Sequence, residues 1–123
     1  MVKPVRSERR QYPRVDQTLP VNVCANGYDF ITVTKNVSCV GAYCRIPKYV
    51  PPFTKVQVKL ELPMASATES SRVPVECKGV IVRTEDESEG GFNVAIFFND
   101  IKDTTRNKIA HYVNQFLPQP SSA

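Results

Sequence analysis

The sequence predicts a mainly β protein, a small six-stranded antiparallel β-barrel with one C-terminal α-helix and a flexible basic N-terminal arm. Apolar and polar residues alternate in several short runs between Leu19 and Phe98. The period lengthens to about 3.6 residues only after Asn99-Asp100, as a helix requires. Ten prolines in 123 residues are too many for a helical bundle. A chain of this length fits one domain, which buries about two thirds of its unfolded surface.

Each element has its own signal. Val21 and Val23 mark the first strand, Asn26-Gly27 is a hairpin turn, and Phe30-Ile31-Thr32-Val33-Thr34 returns as the second. Ala42–Ile46 gives a third strand, after which Pro47, Pro51 and Pro52 interrupt the pattern. In the fourth, Val56, Val58, Leu60 and Leu62 alternate with Lys55, Gln57, Lys59 and Glu61, and Pro63 ends it. The small polar residues 65–71 read as an exposed loop. A fifth strand from Val73 to Thr84 carries Val75, Cys77, Val80 and Val82; the acidic run Glu85 to Glu89 and Gly90-Gly91 turn it back into Phe92, Val94, Ile96 and Phe98. Ile101, Ile109, Val113, Phe116 and Leu117 share one helical face, Asp103 is placed to cap it, and Pro118 helps end it. Closing the strands into a barrel removes their unpaired edges. The expected organisation is a flexible arm over 1–14, barrel and helix over 15–117, and a disordered tail over 118–123.

The formal charge is +4, and all of it lies in residues 1–14, where Lys3, Arg6, Arg9, Arg10 and Arg14 face Glu8 alone. The barrel is therefore neutral and the arm is cationic. No apolar run approaches the ~20 residues that span a bilayer, and the arm lacks the apolar core of a signal peptide, so a soluble, cytoplasmic chain with no membrane contact is expected. Cys24, Cys39, Cys44 and Cys77 contain no C-x-x-C pair, and His111 is remote from all four. They read as buried free thiols rather than metal ligands or disulfides. Neither a Ser-His-Asp arrangement nor a paired-carboxylate spacing is present, so no enzyme activity and no cofactor are expected. The acidic run at Glu85-Asp86-Glu87 lacks metal-loop spacing and reads as a solvated turn.

Two constellations carry binding chemistry. Arg9-Arg10-Gln11-Tyr12-Pro13-Arg14 sets Arg10 and Arg14 in an R-x-x-x-R spacing, and Pro13 keeps the segment extended. Guanidinium forks suit phosphate and the O6/N7 edge of guanine; a solubilising basic tail or weak polyanion binding explains the same residues. Asn36-Val37-Ser38-Cys39-Val40-Gly41 is an N-x-S-x-x-G segment between two strands. Asn36 and Ser38 point the same way on extended backbone and can bond one object, while Gly41 allows a close backbone approach. An ordinary Asx or Ser turn is the alternative.

In this order and spacing, R-x-x-x-R followed by N-x-S-x-x-G resembles the PilZ domain, a family of bacterial receptors for the second messenger cyclic di-GMP. The resemblance extends over the arm, the six-strand pattern and the helix. It implies that Arg10 and Arg14 clamp phosphate and guanine, that Arg9 is the basic residue preceding them, and that Asn36, Ser38 and Gly41 contact a guanine and shape the turn beneath it. Asn36 stands where the family most often has Asp, which keeps an acceptor and loses the charge. Arg45, four residues after Gly41, resembles a basic ligand-side position and is expected at the same end of the barrel. There is no Trp; Tyr12 and Tyr43 are the aromatics nearest the motifs. The implied function is noncovalent receipt of cyclic di-GMP and signalling to an unidentified protein partner through a change in the arm, with monomer and homodimer both open. The alternatives are an interaction module of the same fold that ignores the nucleotide, and a nonspecific nucleic-acid binder, against which the lack of an aromatic–basic RNA-binding stretch counts.

Overall fold

The computed structural model describes residues 13–65 and 70–117. Arg9, Arg10, Tyr12, Pro118, the expected arm up to residue 12, the expected tail and the centre of the 65–71 loop lie outside these residues. Six strands form: β1 (Pro20–Ala25), β2 (Tyr28–Ser38), β3 (Gly41–Ile46), β4 (Lys55–Ala65), β5 (Ser70–Asp86) and β6 (Phe92–Asp100). They close into a barrel in the order β1-β2-β3-β6-β5-β4, every neighbour antiparallel. The barrel is two three-stranded meanders, β1-β2-β3 and β4-β5-β6. They meet along two seams, β3 with β6 and β1 with β4.

Local chemistry explains the elements. Asn26 and Gly27 take φ of 52° and 84°, the left-handed pair whose twist suits a tight hairpin, and Ala25 pairs with Tyr28 across them. On β1 and β4 the alternation resolves as predicted, with Val21, Val23, Val56, Val58, Leu60 and Leu62 buried inside the barrel. β4 and β5 run further into the predicted loop than the sequence suggests, to Ala65 and from Ser70. Val50 is buried in the proline-rich crossover, whose carbonyl accepts the Thr84 hydroxyl at 2.7 Å.

β5 departs from strict alternation. Its register against β6 shifts between Lys78 and Val80 and again between Ile81 and Arg83, so Ile81 is buried while Val82 and Arg83 are both exposed. The second bulge aims Arg83 outward, opposite Ala95.

A helix, α1 (Asp103–Asn114), follows β6 and buries Ile109, Tyr112 and Val113. Three helical details differ from expectation, the first being that Ile101, Phe116 and Leu117 lie outside the helix. Lys102, without a side-chain cap bond, is the N-cap; Asp103 lies inside the first turn, where its charge favours the positive end of the helix. Phe116 is 44% exposed and meets Tyr112 edge-on at 5.0 Å, so Tyr112 takes the core position assigned to it. The cysteines are free, but only Cys39 and Cys44 are buried; Cys24 and Cys77 are half-buried.

Candidate functional site

Residues 15–19 are tied along β2 before β1 begins. Val15, itself buried, exchanges both backbone hydrogen bonds with Val37 at 3.0 Å. Three residues earlier on β2, the buried Thr34 hydroxyl donates to the Gln17 carbonyl at 2.6 Å and accepts the Leu19 amide at 2.9 Å. These bonds fix where the arm meets the barrel, between Asn36 and Ser38. Arg14 is thereby held at Asn36, not carried on a loose arm: its Nη1 donates to Asn36 Oδ1 at 2.8 Å across 22 positions of sequence. Arg14 as a whole stays exposed, yet its head group packs toward Asn36 and Gly41. Desolvation, and then the positive charge of Arg83, lower its pKa from the usual arginine value.

Gly41 begins β3 under this guanidinium. A β-carbon there would lie 2.5 Å from the Ile96 carbonyl oxygen and 3.2 Å from Arg14 Nη2. Close approach of β3 to β6, not positive φ, is what the glycine serves. Ser38 is fully buried and its Oγ accepts the Val40 amide at 3.2 Å, closing the β2–β3 turn on itself. Asn36 and Ser38 therefore divide the work: one faces outward to Arg14, the other shapes the turn.

Next to Asn36 the sheet carries a row that the sequence motifs do not reveal. Asn36 pairs with Tyr43, Tyr43 with Ala95, and Ala95 with Arg83, across β2, β3, β6 and β5. Arg83 lies over the Tyr43 ring at 5.7 Å, and its Nε is 3.0 Å from Glu85 Oε2. Tyr43 donates its hydroxyl to Glu85 Oε1 at 3.0 Å. Burial, with the Glu85 contact second, raises the Tyr43 pKa and keeps the phenol protonated. Arg83 belongs to no motif, and the bulge that aims it outward cannot be read from alternation.

Arg45 sits elsewhere. It pairs with Asn93 near the far end of β3 from Gly41, and its Nε and Nη2 donate to the carbonyls of Gly90 and Glu89 at 2.8 and 3.0 Å. The expectation that it shares the end of the barrel with Gly41 is corrected: Arg45 fastens the β5–β6 turn. That turn is also less solvated than expected, because Glu87 accepts from Asn93 at 2.6 Å and from Lys35 at 3.0 Å. These bonds hold the Glu87 carboxyl down at about 2.

A groove of about 680 Å3, bordered by Lys59, Glu76, Lys78, Lys102 and Lys108, contains none of the candidate residues. Among the described residues no group of His, Cys, Asp or Glu is arranged to hold a metal, and no helix is long and apolar enough to cross a membrane.

Comparison with known proteins places this geometry. No curated protein sequence matches the chain. Solved structures share the fold, among them two bacterial proteins. The Bacillus subtilis inhibitor of motility MotI/DgrA superposes with a TM-score of 0.75 at 17% identity over 87% of this chain, which spans 50% of that one. The PilZ domain of YcgR from Escherichia coli, solved with c-di-GMP, superposes with a TM-score of 0.56 at 10% identity over 87% of this chain and 90% of that one. The PilZ domain family profile matches residues 8–115, from the arginine arm through the barrel to the end of the helix. With the closed six-stranded barrel, its C-terminal helix and the arm-to-turn contact already in place, that match shows that the chain belongs to the PilZ domain family.

Proposed function

We propose that this chain is a receptor for cyclic di-GMP, bound through Arg9, Arg10 and Arg14 of the arm and Asn36, Ser38 and Gly41 of the β2–β3 turn. The observation that carries the proposal is the Arg14–Asn36 hydrogen bond, which joins the last arginine of one motif to the first residue of the other. Arginine forks on the arm meet phosphate and the guanine O6/N7 edge, while Asn36 Oδ1 accepts from guanine N1–H or N2–H. Ser38 acts through the turn it closes, and Gly41 keeps the floor low. We do not include Arg45 in the proposed contact set, since its Nε and Nη2 donate to the Gly90 and Glu89 carbonyls.

Asn36 Oδ1 has two lone pairs, one already taken by Arg14. A guanine at the same oxygen shares it or displaces the guanidinium toward phosphate. Either way the ligand contacts differ between the two arrangements of the arm, the condition for a ligand to shift a conformational equilibrium. The changed arm is what a downstream protein partner reads. The family membership and the fold shared with the c-di-GMP complex of YcgR support this function.

Calorimetric titration with cyclic di-GMP tests it. Binding at micromolar concentration or tighter is expected, abolished in Arg10→Ala and Arg14→Ala, with cyclic di-AMP competing poorly because adenine places a donor where guanine has O6. Absence of heat at high ligand concentration overturns the proposal.

A further inference from the structure

We propose that Arg83, braced by Tyr43 and Glu85 on the barrel wall, is a ligand-binding residue of the same site and supplies a cation for the phosphate that Arg14 approaches from the other side. This rests on the cyclic di-GMP reading above and adds to it a residue outside both motifs.

Four observations converge on it. Arg83 stands in register with Asn36 across β5, β6, β3 and β2, so the two backbones are three strand spacings, about 14 Å, apart. Between them lie Tyr43 and Ala95, and the small Ala95 side chain leaves the centre of the row low. The β5 register shift between Ile81 and Arg83 turns Arg83 onto this outer face, where plain alternation after a buried Ile81 would turn it inward. Its guanidinium is oriented in advance, over the Tyr43 ring and with Nε on Glu85, which lowers the side-chain entropy to be lost on binding. The charge of Arg83 also reaches Arg14, where it acts after desolvation to weaken the Arg14 guanidinium's hold on its proton. Two guanidiniums on one face of the barrel repel each other, and a phosphate between them would convert that repulsion into two attractions. Glu85 offsets part of the charge of Arg83 and orients it, while the Tyr43 ring backs the guanidinium.

The test is a set of titrations on the full chain. Arg83→Gln is expected to bind cyclic di-GMP about tenfold or more weakly, with Arg83→Lys in between, because lysine keeps the charge without the fork. The double variant Arg83→Gln/Glu85→Gln is expected to stay weak; full recovery there would mean that Arg83 only masks the carboxylate, and would overturn the proposal. Equal thermal unfolding of the variants and the parent separates binding from folding. Wild-type binding retained unchanged in Arg83→Gln overturns the role of Arg83 and leaves the cyclic di-GMP reading intact. If the parent does not bind cyclic di-GMP, that reading falls, and inorganic pyrophosphate followed by the Nε–H resonances of Arg14 and Arg83 still decides the anion site. Movement of both resonances supports it, and movement of neither overturns it.

Discussion

At Gly41, the added methyl of Gly41→Ala would press on the Ile96 carbonyl 2.5 Å away, and backbone on the neighbouring strand cannot swing aside as a side chain can. The substitution is expected to cost about 1–3 kcal/mol of stability, read from urea unfolding, and to lift β3 away from β6 under Arg14. Glu87 predicts a pH dependence. Its folded carboxyl titrates at about 2, below the ordinary 4.5, because Asn93 and then Lys35 bond its charged form. Its contribution to stability is present above about 4.5 and is lost as pH falls toward 2, since the unfolded chain takes up the proton first. Unfolding free energy measured across that range should lose part of its slope in Glu87→Gln. Burial pushes the Cys44 thiol up to about 12, so in native protein at pH 8 it should stay unmodified by a thiol reagent that labels it after unfolding.

Along the elements, the segment before β1 matters more to the site than its short length suggests. Thr34→Val keeps the shape of a buried side chain but leaves the Gln17 carbonyl and the Leu19 amide without their partner. A loss of about 1–3 kcal/mol is expected, with faster hydrogen exchange at Leu19 and weaker cyclic di-GMP binding through a loosened Arg14. The six strands along the chain and most of their boundaries were legible because half-buried strands write a period of two, and because Asn26-Gly27 can hardly be anything but a tight turn; their order round the barrel came from the structure. The exceptions have physical causes. A bulge leaves no mark in hydrophobic periodicity, which hid Arg83. Arg45 lies on the same side of β3 as Gly41 by alternation, but four residues of strand carry it roughly 13 Å along the barrel, where nearby carbonyls capture it. Asp103 and Lys102 differ by one position, a distinction set by backbone angles at the helix start rather than by composition.

For the whole molecule, the proposed recognition divides between a neutral barrel that would supply shape and a cationic first segment that would supply most of the charge. Raising salt should therefore weaken cyclic di-GMP binding in the parent, and less steeply in Arg14→Gln. The two meanders add a consequence for unfolding. Asn36, Gly41 and Tyr43 belong to the first meander, Arg83 and Ala95 to the second, so a ligand gripping Arg14 and Arg83 together crosses the β3–β6 seam. That seam joins segments distant in sequence, and closing it carries the loop entropy that hairpins avoid. On the proposed binding mode cyclic di-GMP would act as a rivet through the barrel's joint and slow its opening, and exchange of the Tyr43 and Ala95 amides should fall with occupancy.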